Sequence, residues 1–252
     1  MKALGGLAVG IFTYLGVTFA VANDACDVAA HLVHVDAELP HVAAAISRKT
    51  LTIAVAGTTS STLPGAGGQA LAYPARLEVV LQKTLPGVTV KIISIAKPRQ
   101  TAADMAQAFP KLLKDEKPAL VIWQTGTADA MQGVGPEAFQ ATLETTVDKL
   151  HEGGADVIFM NMQYSPRTDA VISTAAYAEA IRWVGLEHAV NVFDRQSIMR
   201  QWGELGTFDL LAATKSLDTA AKVHDCIGRL LARMIVEAAS PNADTPKEPT
   251  KQ

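Results

Sequence analysis

The chain has 252 residues, with 22 basic and 25 acidic side chains and a net charge of −3 at neutral pH. Its lysines and arginines form no block, so the composition gives no support to binding of nucleic acid or of an anionic membrane surface. We expect a small molecule or a glycan as the partner.

The first 22 residues have the pattern of a secretory signal peptide. Lys2 precedes an apolar run from Ala3 to Phe19, and Ala20-Val21-Ala22 has the small-x-small pattern of a cleavage site. A retained membrane anchor is the alternative, but the run is short, is interrupted by glycines and is followed by an acidic segment. We therefore predict cleavage after Ala22, a periplasmic or secreted protein, and no membrane association after cleavage.

The mature chain is predicted to form one domain. An N-terminal arm covers residues 23–49, the domain covers residues 50–239, and residues 240–252 have the polar, proline-rich composition of a disordered tail. Within the domain, apolar stretches alternate with stretches of helical spacing, which is typical of βαβ units. The predicted strands are Leu51–Ala56, Val88–Ile95, Ala119–Gln124, Ala155–Met162 and Val190–Asp194. The predicted helices are Ala72–Leu85, Thr101–Lys114, Pro136–Glu152, Thr174–His188 and Thr219–Ala239. This alternation predicts an α/β fold, a three-layer α/β/α sandwich with a five-stranded parallel sheet of the flavodoxin-like kind.

The only two cysteines, Cys26 and Cys226, stand near opposite ends of the mature chain. Export to an oxidising compartment favours a disulfide between them, and two free thiols are the alternative. Neither cysteine lies in a CxxC pair or beside a set of metal ligands. We predict a disulfide, no metal and no cofactor.

The turn after the first strand is the first candidate for chemistry, because ligands of parallel sheets bind beyond the carboxyl ends of the strands. It runs from Gly57 to Gly68 and is rich in Ser, Thr and Gly, so a serine there could act as a nucleophile. Its backbone amides could instead bind an anion, although the phosphate-loop and dinucleotide patterns are missing. A plain surface loop is the third interpretation.

Two later segments complete a family resemblance. Trp123-Gln124-Thr125-Gly126-Thr127-Ala128-Asp129-Ala130 follows the third strand, and His224 precedes Asp225 in the last helix. With the serine-bearing turn, this order of segments resembles the SGNH/GDSL ester hydrolases over roughly residues 51–239. The resemblance implies a serine nucleophile, a late histidine base, and an oxyanion hole made by the serine amide, a glycine after strand two and an asparagine after strand three.

The resemblance leaves the catalytic positions open. Alignment to the family's serine-x-threonine puts the nucleophile at Ser60, whereas an ungapped count from Gly57 selects Thr59. Likewise, His224 is the candidate base, although a count back from the closing helix puts the family histidine at Asp218.

Several positions of the family pattern are altered. Thr58 and Thr59 replace the usual Gly-Asp, and Ala128 replaces the oxyanion asparagine, while Gly126 and Asp129 match. The loop after strand two contains no glycine. Loss of one oxyanion donor lowers the rate roughly a hundred- to a thousandfold.

The loop after strand two instead carries Lys97 and Arg99, which we expect to form a cationic rim near Thr58, Thr59 and Ser60. Two functions follow from these observations. The chain is either an ester hydrolase with a degraded oxyanion hole, acting on acyl or acetyl esters of a glycan or small molecule, or an inactive binding protein for an anionic small molecule or glycan. The distance between the Ser60 hydroxyl and His224 distinguishes them.

Overall fold

A computed structural model describes residues 24–210 and 217–240 of the chain. The predicted signal peptide, and the predicted tail beyond Ser240, lie outside the described residues. Among the helices described, none is long and apolar enough to cross a bilayer.

Five parallel strands form one sheet, in the spatial order β2-β1-β3-β4-β5. Because the interior strands β3 and β4 are buried along their whole length, they read as nearly continuous apolar runs in the sequence. Each strand lies within the span predicted for it, apart from one extra residue at the start of the first. The strands are β1 (Thr50–Ala56), β2 (Thr89–Ser94), β3 (Leu120–Gln124), β4 (Asp156–Met160) and β5 (Asn191–Phe193). The predicted α/β fold class is confirmed.

The α-helices cover both faces of the sheet. They are α1 (Pro40–Ser47), α2 (Gly68–Leu71), α3 (Tyr73–Thr84), α4 (Ala102–Ala106), α5 (Phe109–Glu116), α6 (Thr127–Gln132), α7 (Pro136–Glu152), α8 (Pro166–Asp169), α9 (Ala175–Glu187), α10 (Arg195–Glu204) and α11 (Asp218–Ala238). The predicted helix Thr101–Lys114 is in fact two helices, α4 and α5. The chain breaks between them because Pro110, in the first turn of α5, has no N–H to continue the first helix.

Two apolar clusters, one on each face of the sheet, make up the core. Helices α1, α3 and α11 pack on one face, and α5, α7 and α9 pack on the other. The result is the predicted three-layer sandwich, in which the carboxyl ends of β1, β3, β4 and β5 lie at one edge and can share a site.

The segment before β1 is bound to the domain by buried side chains at the amino ends of β4 and β5. The Asp156 carboxylate accepts a hydrogen bond from the Val42 amide (2.9 Å), at the start of α1. The Asn191 side chain accepts from the Asp36 and Ala37 amides (2.8 and 3.0 Å). The predicted arm is therefore part of the packed structure and contains a helix of its own.

Cys26 and Cys226 form a disulfide, with their Cα atoms 5.0 Å apart and a sequence separation of 200. This confirms the predicted pairing. The bond ties the start of the described chain to α11, and a closed loop of this kind contributes about 2–5 kcal/mol to stability. An ion pair between Asp24 and Arg229 lies beside it.

Candidate functional site

A cavity of about 420 Å³ opens at the carboxyl edge of the sheet, and its volume is within the range of small-molecule sites. The turn after β1, the residues that follow β4 and β5, and the first two turns of α11 form its wall. The lining residues are Thr59, Ser60, Thr62, Leu63, Gln163, Arg195, Met199, Asp209, Leu210, Thr219, Ala220, Val223 and His224. The two residues predicted to be catalytic, Ser60 and His224, thus line one cavity.

The turn after β1 is a short 3-10 turn over Thr59–Ser61. It is closed by a hydrogen bond from the Ser61 amide to the Thr58 carbonyl (2.9 Å). Gly57 is needed before it because a Cβ there would overlap the Ser61 hydroxyl and lie 3.0 Å from Gln124 Oε1. The glycine therefore lets the serine turn lie directly against the end of β3.

The hydroxyl of Ser60 is surrounded by donors. Gln124, the last residue of β3, donates from Nε2 to Ser60 Oγ (2.7 Å), and Arg195 donates from Nη1 to the same oxygen (3.4 Å). These two donors occupy the acceptor capacity of the oxygen. The Ser60 proton has no hydrogen-bond acceptor among the described residues.

Ser61 belongs to the same hydrogen-bond network. Its hydroxyl donates to Gln124 Oε1, so the Tyr73 hydroxyl, 3.1 Å from Ser61 Oγ, must donate to Ser61. Ser61 and Tyr73 are both buried. The chain of hydrogen bonds fixes the amide of Gln124 with its Nε2 towards Ser60.

Arg195 is the first residue of α10 and is fully buried. Its Nη2 donates to the Ser60 carbonyl (3.1 Å) and to Gln163 Oε1 (3.0 Å). Burial lowers the pKa of Arg195 to about 10, so the side chain keeps its charge at neutral pH. Over residues 24–210 and 217–240, no carboxylate pairs with this cation.

The position of Arg195 follows from the two strands beside it. Asp194 caps α10 by accepting from the Ser197 amide (3.0 Å), and Asn161, just after β4, donates to the same carboxylate (2.6 Å). Asn161 also accepts from the Gln196 amide (2.9 Å). These bonds hold the first turn of α10 against the sheet, with Arg195 facing the turn after β1.

His224 lies buried in the second turn of α11, and its ring is bonded to the backbone. Its Nδ1 accepts a hydrogen bond from the Tyr73 amide (2.9 Å), so the neutral ring carries its proton on Nε2. Burial first, and then the nearby charge of Arg195, lower the pKa of His224 to about 3. Within the described chain, no hydrogen bond joins His224 to Ser60.

The other position considered for the family histidine is Asp218. This residue is the first of α11 and does not belong to the residues that line the cavity. It stands more than a helical turn away from His224 along the same helix. Asp218 has no imidazole, and His224 makes no hydrogen bond to Ser60 within the described chain. Neither position therefore supplies a histidine base bonded to the Ser60 hydroxyl.

Gly126 and Asp129 have structural roles at the start of α6. Gly126 has φ of 102°, and a Cβ there would lie 2.6 Å from Met162 Sδ. Asp129 accepts from the Ala102 and Gly126 amides (2.9 and 3.3 Å), and its burial raises its pKa. Asp129 thus joins α6 to α4, and neither residue lines the cavity.

Lys97 and Arg99 lie in the loop after β2 and are exposed. The Lys97 amide donates to the Gly57 carbonyl (3.1 Å), so this loop does adjoin the serine turn. The side chains of Lys97 and Arg99 are nevertheless not among the residues that line the cavity. The lysine or arginine that does line the cavity, within the described residues, is Arg195.

Sequence reasoning missed Gln124, Gln163 and Arg195 as site residues. Each follows or ends a strand at the carboxyl edge of the sheet, which is where ligand-binding side chains of such sheets lie. That position, together with a polar side chain next to a buried apolar run, was the signal that could have identified them.

A larger groove, of about 990 Å³, lies between α11, α3 and residues 34–38. It is on the side of the sheet's amino ends, because Asp36 and Ala37 bind Asn191 at the start of β5. Its lining includes none of the candidate catalytic residues, so the smaller cavity is the candidate site.

The fold and the serine turn after β1 define the chain as a protein of the SGNH/GDSL hydrolase class. The model of the non-GDSL lipase-like family matches residues 25–241, and the chain belongs to that family. The resemblance inferred from the sequence is thereby confirmed.

Known esterases share part of this sequence and the fold. Esterase TesA of Pseudomonas aeruginosa is 32% identical over 89 residues, which are 34% of this chain and 44% of that protein. The match thus spans less than half of the length of this curated relative. Among solved structures, a crystal structure of TesA superposes with a TM-score of 0.57 at 21% identity, covering 73% of this chain and 99% of the other.

Two further solved structures have a similar fold. A lipase/acylhydrolase from Enterococcus faecalis has a TM-score of 0.59 at 18% identity, over 73% of this chain and 95% of the other. A catalytic variant of an acetylxylan esterase from Geobacillus stearothermophilus has a TM-score of 0.61 at 15% identity, over 73% and 94%. At these identities the likeness establishes the fold.

Proposed function

We propose that the protein is an exported binding protein of this hydrolase-like family, which takes up a small anionic molecule or glycan in the cavity beside Ser60 and is not an efficient ester hydrolase. The observation that carries the proposal is the hydrogen bond from the Tyr73 amide to His224 Nδ1. It leaves a protonated Nε2 as the only other ring nitrogen, so the imidazole has no free lone pair to accept the serine proton.

The surroundings of Ser60 support the same conclusion. Its oxygen accepts from Gln124 and Arg195, and its O–H donates to no base among the described residues. A general base must lie within hydrogen-bond reach of the proton that it removes. In addition, Ala128 offers no side-chain donor to an oxyanion, which costs roughly a hundred- to a thousandfold in rate.

Export is supported by the Cys26–Cys226 disulfide together with the signal-like pattern of residues 1–22. Disulfides persist in oxidising compartments such as the periplasm and are rare in the cytosol. We therefore propose a periplasmic or secreted location.

A slow ester hydrolase is the second candidate. The observation in its favour is that Gln124 Nε2 and Arg195 Nη1 both donate to Ser60 Oγ, an arrangement that would stabilise a serine alkoxide. The acyl and acetyl esters that the related esterases suggest are its natural test substrates.

Hydrolysis of nitrophenyl acetate and nitrophenyl butyrate by the purified mature protein tests the proposal. We expect the rate of the wild type to equal that of Ser60→Ala and His224→Gln, because no proton transfer from Ser60 to His224 contributes. Ser47→Ala, a change on the exposed face of α1, is the control for handling and purity. Turnover that is retained in Ser47→Ala and disappears in Ser60→Ala would overturn the proposal in favour of the hydrolase.

A further inference from the structure

Within residues 24–210 and 217–240, Arg195 is a buried charge without a counter-ion. Its hydrogen-bond partners are neutral: the hydroxyl and carbonyl of Ser60 and the amide of Gln163. Its Nε has no hydrogen-bond partner in the described part of the chain. The face of the Tyr73 ring, 5.9 Å from the guanidinium carbon, gives only partial compensation. A buried ion without an opposite charge is costly, so this arrangement calls for an anion.

The proton of the Ser60 hydroxyl is the second donor that lacks a partner. Its oxygen already accepts two hydrogen bonds, and its proton meets no acceptor in residues 24–210 and 217–240. Ser60 is only partly buried and lines the cavity, so that proton is available to a ligand. The Ser60 proton is a free donor at this wall, and the positive charge of Arg195 lies directly behind it. A ligand that satisfies the hydroxyl and compensates the buried charge must present an acceptor with a negative charge.

The other residues of the cavity wall limit how much negative charge the ligand can carry. Among the described lining residues, Arg195 is the only lysine or arginine, and Asp209 adds a carboxylate. A dianion such as phosphate would therefore meet a single lysine or arginine among the described lining residues. Leu63, Met199, Leu210 and Val223 supply apolar surface next to the two donors.

We propose that the natural ligand is a monocarboxylate with an apolar body. Its carboxylate accepts from the Ser60 hydroxyl and lies against Arg195, while its body contacts Leu63, Met199 and Val223. This inference rests on the proposed binding function and names the class of ligand. It assigns to Ser60 the role of a hydrogen-bond donor to the ligand rather than that of a nucleophile.

The assignment of Arg195 as a ligand anchor has a consequence for the protein without ligand. If Arg195 served stability alone, its loss would lower the melting temperature. If its charge is held for a ligand, an apolar residue of similar length removes an uncompensated buried ion. Arg195→Met should then melt at the same temperature as the wild type or higher, while losing the ligand.

Calorimetric titration of the full mature protein tests the inference, with hexanoate and benzoate as probes and hexanol and benzyl alcohol as their neutral counterparts. Glucuronate represents a monocarboxylate with a polar body, and inorganic phosphate represents a small dianion. We expect hexanoate or benzoate to bind about tenfold or more tightly than its alcohol, because a charge-assisted hydrogen bond is lost in the alcohol. Glucuronate and phosphate should bind more weakly than either apolar carboxylate.

Two variants and a control locate the binding. Arg195→Met should weaken hexanoate binding about ten- to a hundredfold, and Ser60→Ala should weaken it by a smaller factor without removing the charge. Arg48→Met, which changes an exposed arginine after α1, should leave the affinity unchanged.

The possible failures are distinct. Equal affinity for hexanoate and hexanol, equal affinity in Arg195→Met, or no binding of either apolar carboxylate would overturn the monocarboxylate assignment. Tighter binding of phosphate or glucuronate would overturn it as well, while leaving the protein an anion-binding protein. Only hydrolysis that depends on Ser60 would overturn the proposed function itself.

Discussion

At the scale of single residues, His224 illustrates how a hydrogen bond decides the role of a side chain. Its residue type and its place in a late helix fit the family base, and it does line the cavity with Ser60. The Tyr73 amide nevertheless uses the Nδ1 lone pair, and burial keeps the ring neutral. The sequence predicts the presence of the histidine at the cavity, but not the backbone donor that determines its tautomer.

The depressed pKa of His224 predicts a specific loss of stability in acid. In the unfolded chain the histidine titrates near 6.5, whereas in the fold its pKa is about 3. Between these values the unfolded state binds the additional proton, so stability falls as the pH falls through this window. At about 1.36 kcal/mol per pKa unit, we expect a loss of about 2 kcal/mol between pH 7 and pH 5.

Urea unfolding of the wild type and of His224→Gln at both pH values measures this effect. Glutamine retains an acceptor for the Tyr73 amide and does not titrate, so the variant should show a flatter dependence on pH. His151, whose pKa is also lowered by burial, retains part of the slope. His31→Gln, an exposed change, serves as the control. Identical slopes in wild type and His224→Gln would show that the ring is not held neutral.

Other residues separate what a sequence can predict from what it cannot. The turn after β1 was found from a local pattern, a hydroxyl-rich segment directly after a strand, and Ser60 was chosen within it from the family resemblance. Arg195 was not found, because its significance depends on the serine turn 135 residues earlier in the chain, which only the folded sheet brings beside it. Lys97 and Arg99 were chosen for their charge, but they are not among the residues that line the cavity.

At the scale of the elements, the packing of α11 against α3 supports the wall of the cavity. Gly228 lies where the two helices approach most closely, since a Cβ there would be 2.9 Å from both the Arg76 Cβ and the Leu77 amide nitrogen. The same helix carries Val223 and His224 to the cavity. The close approach of the two helices therefore fixes part of the site.

Gly228→Ala is expected to destabilise the protein by about 1–3 kcal/mol, because the added methyl forces the helices apart. The better helix propensity of alanine, about 1 kcal/mol, opposes this effect without cancelling it. Gly135→Ala is the matched control, since its φ is −59° and the nearest atom would be 3.7 Å away. The free energy of unfolding from urea titration measures both changes. A Gly228→Ala protein as stable as the wild type would contradict the packing account.

The strands were predicted more accurately than the helical segments. Central strands such as β3 are buried on both sides, so an unbroken apolar run marks them in the sequence. The division of Thr101–Lys114 into α4 and α5 was missed, although Pro110 was the available signal. Helix α6 was missed too, because its six residues are too few to show a clear period.

At the scale of the whole molecule, the alternation of strands and helices predicted the three-layer fold, and two cysteines predicted the disulfide. The order of the strands and the route of residues 24–49 depend on long-range contacts, such as those of Asp156 and Asn191, which no local pattern encodes. The fold of a hydrolase was therefore accessible from the sequence. The chemistry of the site depended on which donors the fold brings to Ser60.

The central claim is that Ser60 is held by donors and is not activated as a nucleophile. Labelling with a fluorophosphonate, which reacts with activated serines, followed by intact-mass and peptide mass spectrometry, tests it most directly. We predict that the folded, disulfide-bonded protein gains no adduct at Ser60 under conditions in which a family esterase is labelled completely, because no base removes the serine proton. Stoichiometric labelling of Ser60 that is lost in His224→Gln would contradict the account and establish a working serine–histidine pair.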